Sequence, residues 1–397
     1  MRRELSFSDA LTVALAHNGE LYLAQGDVAI AGDELALAGS VFAPRLVGNA
    51  RVAREDQPGN AQSFAWKDQL ASASLGITGL LPTGLTYALD LGASAERLSS
   101  PFLTVFSPAY TTGLTLSLTQ PLLRGGWRSI NRQPIYVAAL RRDVTVQQLQ
   151  VRLAELVGEV EVAYWSLVLA YREREAREAS LKLAQDQLAE STRLVRLGTI
   201  SDLDVLEARA GVGRTQQQLI RAQQQVADAE GGLRIVIVGN PDWGPDDSLV
   251  AIDNPDLTPV SYSVEEHLQL AHRNRPDLVA AHVELEAESA ALAVTEDGLL
   301  PALDLVATAS KLGFAGDLER NYVTSGVSVF DNSLSPSYVV NPDLNGGLGD
   351  SFKNLTTSGN YTVSLGLKLD LPLDNSAARA RHDRQRHVRA RAQTAKQ

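Results

Sequence analysis

Two long segments with a coiled-coil repeat, joined by a short polar turn, constrain the fold more than any other feature. Between Val146 and Val238, apolar residues recur at steps of three and four, which keeps one seam on one side of each helix. With Pro134 in its first turn, where proline is tolerated, a helix from Gln133 to Arg196 would be roughly 95 Å long. The two seams are Val146, Leu149, Leu153, Leu156, Val160, Ala163, Leu167 and Ala170, then Leu219, Ala222, Val226, Ala229, Leu233 and Val236.

The composition argues against several functions. The chain has 397 residues and no cysteine, which rules out thiol catalysis, disulfides and cysteine-ligated zinc. A net charge of −11 disfavours a general nucleic-acid binder, although arginines cluster between Arg379 and Arg391. An aromatic fraction of 6% agrees with long coiled helices, which bury Leu, Val and Ala.

The hydropathy pattern bears on the membrane. No run approaches the roughly 18 apolar residues of a membrane helix, whereas the alternating strands of a membrane barrel remain compatible with the sequence. The segment from Met1 to Leu5 enters a helical pattern with no hydrophobic signal region. We therefore expect either a cytoplasmic protein or a chain from which a signal peptide has been left off.

Two segments repeat each other at one constant offset, which places Pro44 on Pro301. A helical pattern with Ser8 and Asp9 as its predicted cap precedes Pro44, and a matching pattern precedes Pro301. Gly19 falls on Pro276, so each copy is expected to break into a short and a longer helix. Chance matching of amphipathic helices would explain part of this. The proline-to-strand junction, which also falls in register, favours a duplication.

Beyond each proline the helical period changes to the alternation of a two-faced strand, as in Leu303 to Ser310. Tyr110 to Leu123 and Tyr361 to Leu373 close the two repeats in the same way. An additional hairpin is predicted between residues 69 and 97, turning at Leu81-Pro82-Thr83-Gly84. It has no counterpart in the second repeat, where residues 313 to 360 are predicted to form long loops.

The closing strand has two different faces. Lys368 and Asp370 lie on its polar face, opposite the aliphatic row Val363, Leu365, Leu367, Leu369 and Leu371. A soluble sandwich and a membrane barrel both fit alternation, but charges opposite an unbroken aliphatic row favour a wet lumen and a lipid-facing wall. Aromatic residues near strand ends fit either an interfacial girdle or a loop core: Phe64, Trp66, Phe102, Phe106 and Tyr110.

Four motifs follow one another in the order helix, strands, helical hairpin, helix, strands. They are Gln120-Pro121-Leu122-Leu123-Arg124-Gly125-Gly126, Ala163-Tyr164-Trp165-Ser166-Leu167, the segment from Leu197 to Ala208, and Asn274-Arg275-Pro276-Asp277-Leu278. In this order the chain resembles the TolC-like outer-membrane efflux protein family, the outer membrane factors. The resemblance implies an α+β membrane protein with long α-helical coiled-coil hairpins, a twofold internal repeat and β-strands given to a shared trimeric outer-membrane barrel.

The resemblance also implies a function, a location and partners. The protein would be the outer-membrane channel of a tripartite efflux or type I secretion system, with its helices in the periplasm. It would passively conduct small molecules or polypeptides, driven by an inner-membrane pump through a periplasmic adaptor. No enzyme activity, cofactor, metal or nucleic acid is implied. Lys368 and Asp370 would line the barrel lumen.

The hairpin tip is the site at which that family docks its adaptor. Gly198, Ser201 and Asp204 match the tip pattern, whereas Thr199 stands where leucine is common. Arg193 and Arg196 flank the usual arginine position. The structural alternative is that Gly198 permits a left-handed turn and Ser201 caps the next helix, and the two kinds of role are compatible.

The predicted organisation follows the repeat. The ranges are 1–43 for a first helix, 44–123 for barrel strands with the extra hairpin, 124–240 for the long hairpin, 241–260 for a linker, 261–300 for the second repeat's helix, 301–373 for its strands and loops, and 374–397 for the start of a second hairpin. Since the family continues into a full second hairpin with a gate, we expect this chain to be truncated.

Candidate chemistry is sparse. The six histidines form no metal-ligand spacing beyond the weak pair His382 and His387, and the glycine-rich loop from Gly346 to Asp350 lacks the lysine of a phosphate cradle. Two alternative functions remain open. One is a soluble coiled-coil scaffold, and the other is a polysaccharide-active enzyme, which would need a carboxylate pair in a cleft.

Overall fold

The computed structural model describes residues 2–57, 66–99, 106–237, 248–255, 258–259, 262–318 and 342–396. Apart from the last two residues, the chain forms two compact units, one of Met1–Asp33 with Leu140–Glu284 and the other of Glu34–Ala139 with Leu285–Ala395. Within these described ranges, every helix is too short or too polar to cross a bilayer.

Eight α-helices and eight strands occupy the described residues. In chain order they are β1 (Arg2–Leu5), α1 (Phe7–His17), α2 (Gly19–Ser40), β2 (Arg45–Gln57), β3 (Trp66–Leu80), β4 (Thr86–Ser99), β5 (Phe106–Pro121), α3 (Arg128–Arg196), α4 (Asp202–Val236), β6 (Ser248–Ala251), α5 (Val264–Asn274), α6 (Pro276–Asp297), β7 (Ala302–Leu318), α7 (Leu348–Thr357), β8 (Tyr361–Asp370) and α8 (Ser376–Ala395).

The predicted helical hairpin is confirmed as α3 and α4. Helix α3 runs for 69 residues and begins at Arg128, so the predicted start at Gln133 was too late. Pro134 consequently lies inside the helix, in its second turn, where it removes one backbone donor. The predicted seam is buried at Leu156, Val160, Leu167 and Ala170 of α3 and at Leu219, Ala222, Val226 and Leu233 of α4.

Tyr164 of α3 is the largest fully buried side chain of the first unit. Its hydroxyl lies 3.0 Å from the Leu5 carbonyl oxygen and 2.9 Å from Asp253 Oδ2, both of which are acceptors. The same carboxylate accepts the Phe7 N–H at 2.7 Å, and the Phe7 ring packs edge-on against Tyr164. The sequence interpretation of Tyr164 and Trp165 as packing residues, rather than a stacking platform, is confirmed.

Two short strands of this unit were missed by the sequence pattern. Strands β1 and β6 form a parallel pair in which Arg2 stands opposite Ser248. The expected direct entry into helix at the N-terminus was therefore wrong for Arg2–Leu5, and β6 lies within the predicted linker of residues 241–260. The physical reason is that backbone pairing joins two segments far apart in the chain, which local periodicity cannot reveal.

The two repeated segments have the same element lengths. Helices α1 and α5 have 11 residues each, and helices α2 and α6 have 22 residues each. The predicted cap at Ser8 was wrong, because Ser6 caps α1 by accepting the Asp9 N–H at 3.1 Å. Ser263, which the repeat places on Ser6, caps α5 in the same way.

The second unit contains a six-stranded antiparallel sheet, counted over the described residues, in the order β2-β3-β4-β5-β7-β8. The predicted additional hairpin is confirmed as β3 and β4. Its turn closes through the Gly84 N–H, which donates to the Leu81 carbonyl oxygen at 2.8 Å. Gly84 has a φ of +84°, and a β-carbon there would meet Pro121 Cγ and Asn131 Nδ2.

The long loops predicted over residues 313–360 are partly wrong. Strand β7 continues to Leu318, and α7 packs on the sheet, whereas residues 319–341 lie outside the described part of the chain. Thr112 Oγ1 of β5 donates to the Ser351 carbonyl oxygen of α7 at 2.9 Å, and Lys311 Nζ of β7 donates to the Thr356 carbonyl oxygen at 3.0 Å. The sequence pattern missed α7 because its segment is rich in glycine and polar residues, which predict loops. In the structure these residues allow the helix to pack closely on the strands and to hydrogen-bond with them.

We predict that Tyr164→Phe lowers the free energy of unfolding by about 1–3 kcal/mol, because a buried acceptor loses its donor. Burial raises the pKa of Tyr164 to about 12, above the usual value of about 10. The neutral hydroxyl therefore stabilises the fold fully below about pH 10, and this contribution is lost as the pH rises through about 12. Denaturant unfolding of both proteins between pH 8 and 12, followed by helical circular dichroism, measures it. Identical pH slopes for the two proteins would contradict the assignment.

Candidate functional site

The two faces of the six-stranded sheet differ throughout in chemistry. Across the register, one row of directly paired residues is apolar on every strand: Leu46, Ile77, Leu89, Leu116, Ala309 and Val363. The adjacent row, which points to the opposite face, is mostly small and polar: Arg45, Thr78, Ala88, Ser117, Thr308 and Ser364. The two-faced strands predicted from sequence alternation are thus confirmed as one continuous two-faced sheet.

The apolar face is exposed in the single chain. Leu46 is 69% exposed and Leu365 is 72% exposed at the two sheet edges, and even Leu89 on β4, in the middle of the sheet, is 41% exposed. Paired leucines extend the face further at Leu75 with Leu91 and at Leu91 with Leu114. Soluble monomers rarely expose an apolar patch beyond a few hundred Å², so this face requires a covering.

The apolar face ends at a charged row. Arg54 stands opposite Gln69, which stands opposite Arg97, and all three share the face of the leucines. Along the strands, the apolar stretch runs from Leu46 to Val52 on β2 and from Leu371 to Val363 at β8, or about 20–27 Å at about 3.4 Å per residue. At the tilt of about 40° that barrel strands have, this length corresponds to a height of about 16–21 Å, which is most of the roughly 25 Å apolar band of outer-membrane barrels.

The polar face holds both sequence-predicted lumen residues. Lys368 stands directly opposite Asp304 of β7, and Asp370 stands opposite Ala302. Hydroxyl groups dominate the rest of this face, and Thr308 Oγ1 lies 2.6 Å from Ser364 Oγ. Asp304 was not singled out from the sequence, because only the register across β7 and β8 brings it opposite Lys368.

The aromatic residues proposed for a girdle have different outcomes. Phe106 packs edge-on against Phe314 at the far ends of β5 and β7, with ring centroids 5.2 Å apart. Tyr110 pairs with Ala315 next to them. Phe64, Phe102 and the side chain of Trp66 lie outside the described residues. Phe106 and Phe314 therefore fill a strand-end cluster, and the girdle stays a prediction.

The hairpin tip is built by two consecutive helix caps. Helix α3 ends in a Schellman motif, in which the Gly198 N–H donates to the Val195 carbonyl oxygen at 2.9 Å and the Thr199 N–H donates to the Leu194 carbonyl oxygen at 3.0 Å. Gly198 has a φ of +76°, which confirms the predicted left-handed turn. The Thr199 hydroxyl also donates to the Leu194 carbonyl oxygen, at 2.8 Å. Threonine at this position therefore adds a second hydrogen bond to the end of α3, which a leucine side chain could not form.

Helix α4 begins in a capping box. Ser201 Oγ accepts the Leu203 N–H at 2.9 Å, and Asp204 Oδ2 accepts the Ser201 N–H at 2.9 Å. The predicted capping role of Ser201 is confirmed, and Asp204 completes it. Arg193 forms an exposed ion pair with Glu190 at 2.9 Å, and Arg196 is exposed at the end of α3.

Three exposed leucines surround these caps and were not singled out from the sequence. Leu197 is 68% exposed, and Leu203 and Leu206 are each 61% exposed. From their spacing alone, such leucines would be assigned to the buried seam of a helix. In the structure they lie at the turn, where the two helices end and their side chains are exposed. The tip is therefore a rigid turn that presents leucines between charged side chains, a surface suited to protein contact.

The motif Asn274-Arg275-Pro276-Asp277-Leu278 forms the break between α5 and α6. Asp277 accepts hydrogen bonds from the Arg275 guanidinium, Nε lying 3.1 Å from Oδ1, and from the Leu278 N–H at 2.9 Å. The Arg275 side chain accordingly holds the pKa of Asp277 below its usual value. This motif fixes a bend and carries no reactive group.

Metal ligands are absent from the residues the structure describes, in the sense that no three His, Asp or Glu side chains converge. His382 lies on α8 with Nδ1 3.4 Å from Thr295 Oγ1, and His387 is on the same exposed helix.

Comparison with known proteins agrees with the geometry. Residues 69–237 match the family model for the outer membrane efflux protein family. A comparison with curated protein sequences gives no match.

Among solved structures, the transmembrane channel CusC superposes with a TM-score of 0.60 at 15% identity, over 98% of this chain and 72% of CusC. The outer-membrane channel OprN gives 0.62 at 16% identity, over 98% of this chain and 69% of OprN. The outer-membrane protein VceC from Vibrio cholerae gives 0.60 at 15% identity, over 98% of this chain and 74% of VceC. The resemblance found in the sequence is confirmed, and the fold is that of outer-membrane channels.

We predict opposite effects for two glycine substitutions in the hairpin. Gly198→Ala should destabilise the tip by about 1–2 kcal/mol, since a β-carbon is strained in the left-handed region even with open space around it. Gly211→Ala, inside α4 with open space around it, should stabilise the helix by about 0.5–1 kcal/mol. Amide hydrogen exchange of the last turn of α3 and of α4 measures both. Equal effects at the two sites would contradict this account of the tip.

Proposed function

We propose that this protein is the outer-membrane channel subunit of a trimeric efflux or secretion assembly. In this proposal the sheet becomes part of a shared barrel wall and the helices extend into the periplasm. The observation that carries it is the apolar face of the sheet, on which the row from Leu46 to Val363 is aliphatic and exposed across all six strands. The match to the efflux-protein family and the channel fold support a role in efflux.

Lipid is the covering that fits this face best. The face is mostly aliphatic, and along each strand its residues alternate with polar residues of the opposite face. Its length of about 20–27 Å along the strands corresponds to about 16–21 Å across the membrane at a tilt of about 40°, which is most of the apolar band of an outer-membrane barrel. A protein partner would instead be expected to meet aromatic anchors and a polar rim within the patch. The row from Leu46 to Val363 is wholly aliphatic, and in the two neighbouring rows only Tyr87, Lys311 and Tyr361 interrupt the aliphatic residues and glycines.

The opposite face suits a water-filled lumen. Serine, threonine and glycine dominate it, with Lys368, Asp304 and Asp370 near the end of the sheet that joins the helices. Charges of both signs at this level would favour passage of hydrated solutes without strong selection for one charge. The protein would then conduct passively, and an inner-membrane pump would select the substrate and supply the energy.

The twofold repeat is part of the same proposal. Identical helix lengths, identical cap positions and a following strand recur at one constant offset along the chain. A gene duplication explains this coincidence of boundaries with a single event, because independent helices vary widely in length. Each half would supply barrel strands and periplasmic helices to one protomer.

The hairpin tip is the proposed docking site for a periplasmic adaptor. Its caps hold Gly198, Thr199, Ser201 and Asp204 in a fixed turn, so docking would need little ordering of the backbone. Leu197, Leu203 and Leu206 would supply apolar contacts, and Arg193 and Arg196 would supply charge at the rim. This extends the predicted site from its polar residues to the leucines between them.

We predict that Leu365→Arg prevents assembly in the outer membrane while Ser364→Arg is tolerated. The two residues are neighbours on β8 and are both exposed in the single chain, but they point to opposite faces. Arginine on the lipid face costs about 2–4 kcal/mol near the membrane midplane, whereas arginine in the lumen stays hydrated. Heat-modifiable trimers in the outer-membrane fraction of an expressing strain measure assembly.

Equal behaviour of these two variants would contradict a lipid-facing wall. A soluble coiled-coil scaffold in particular would tolerate both, since each residue would face water. Recovery of both variants, and of the unmodified protein, in the soluble fraction would therefore favour the scaffold.

We also predict that Leu203→Asp weakens adaptor binding roughly tenfold or more, because an unpaired carboxylate would be desolvated in the interface. The acidic residue itself suits the first turn of α4, so trimer formation should persist. Leu183→Asp, at a residue of α3 that is 70% exposed, is the control. In vivo cross-linking to the adaptor and toxicant sensitivity are the readouts, and unchanged values for Leu203→Asp would rule out tip docking.

A further inference from the structure

The sheet ends in two long strands that each lack a neighbour on one side within the described residues. Strand β2 has 13 residues and strand β8 has 10 residues, and each pairs with one described strand only. Backbone N–H and C=O groups of an edge strand cannot be left unpaired inside lipid, because no water is present to accept or donate their hydrogen bonds. If the apolar face meets lipid, both edges must be paired with further strands.

The directions of these edge strands allow a second copy of the chain to pair with them. Every neighbouring pair in the sheet is antiparallel, so with six strands β2 and β8 run in opposite directions. Setting β8 of one copy beside β2 of the next therefore continues the antiparallel pattern. The same contact repeated by rotation closes a ring with no free edge.

The hairpin of β3 and β4 gives the first repeat two more strands than the second repeat has among the described residues, so the ring contains more strands than two equal repeats would give. The first half of the chain supplies β2, β3, β4 and β5, and the described second half supplies β7 and β8. Strands β2 and β5 are themselves antiparallel, so they would form a hairpin without β3 and β4. The hairpin therefore adds two strands to each protomer without changing the direction of any other.

We propose that this hairpin is a barrel-widening unit, and that three copies joined through β8 and β2 close an eighteen-stranded barrel with an open aqueous lumen. The trimer in this inference rests on the proposed function. With about 4.8 Å between strands and a tilt of about 40°, eighteen strands give a barrel about 36 Å across, against about 24 Å for twelve. Barrels of 16–18 strands enclose an aqueous channel.

The side chains of the hairpin agree with an open lumen. On the polar face, β3 presents Ser72, Ser74, Gly76 and Thr78, and the paired positions of β4 are Ser94, Gly92, Asp90 and Ala88. Small side chains on β3 and β4 leave the widened lumen open, whereas large side chains would fill it. The outlet would thus admit bulky hydrated solutes or extended polypeptides.

Disulfide mapping in the complete chain tests the strand order, because the native sequence has no cysteine. Arg51 and Ser72 are direct neighbours across β2 and β3, while Thr111 of β5 stands in the same row two strands beyond Ser72. We expect Arg51→Cys with Ser72→Cys to form an intramolecular disulfide in membrane trimers, and Arg51→Cys with Thr111→Cys to form none. The reverse result would mean that the hairpin is outside the wall, and would overturn the inference.

The joint between copies is tested in the same way. Ser364→Cys on β8 is combined in turn with cysteine at each polar-face position of β2, namely Arg45, Val47, Asn49, Arg51, Ala53, Glu55 and Gln57. We expect covalent dimers and trimers at one or two adjacent positions and none for the single variants. Membrane trimers in which no cysteine pair gives covalent dimers or trimers would contradict pairing of β8 with β2 of the next copy, without contradicting the proposed function. Absence of membrane trimers would contradict the proposed function itself.

Removal of residues 66–99 provides a second measurement. The remaining connection between β2 and β5 keeps positions 58–65 and 100–105 of the sequence, enough chain to turn between neighbouring strands. Electron cryomicroscopy of detergent-purified trimers should show a barrel about 36 Å wide for the complete chain and about 24 Å wide for the deletion. A complete chain with the narrower barrel would overturn the inference even if the deletion variant fails to fold.

Discussion

Aliphatic and small polar side chains alternate along six paired strands, and this alternation gives the sheet two chemically different faces. A sheet with a leucine face and a hydroxyl face is stable only when the two faces meet different media. Within one chain, α7 covers the far end of the apolar face, and the remaining rows stay exposed. In the proposed assembly, lipid would cover the apolar face and strands of neighbouring copies would pair with the two edges of the sheet.

The helical unit solves a different problem, which is to hold a long hairpin rigid. Its seam residues bury against each other, but the hairpin is anchored by polar groups as well. The Tyr164 hydroxyl, the Asp253 carboxylate and the Leu5 carbonyl group join α3 to the short parallel strands β1 and β6. At the opposite end, Gly198 and Ser201 satisfy the backbone groups of two helix termini within a single short turn. A tip fixed in this way can present leucines to a partner at small entropic cost.

Sequence periodicity predicted the parts of the fold that local chemistry determines. Residues a few positions apart in the sequence determine these parts, which are the α3 and α4 seams, the left-handed turn at Gly198, the cap at Ser201 and the alternating strands. Periodicity missed β1 with β6, the position of Asp304 opposite Lys368, and the packing of α7 on Thr112. Each of these depends on a register between distant segments. The exposed tip leucines were missed for a related reason, since their exposure follows from the turn and not from their spacing.

Solvent accessibility measured residue by residue along β8 tests the lipid-facing wall most directly. Single cysteines at positions 361 to 371, carrying an environment-sensitive fluorophore in outer-membrane trimers, can be quenched either by lipid-attached nitroxides or by aqueous iodide. We predict a period of two, with lipid quenching at Val363, Leu365, Leu367 and Leu369 and iodide quenching at Thr362, Ser364 and Lys368. Iodide quenching at every position, with no alternation, would contradict a sheet that separates lipid from water.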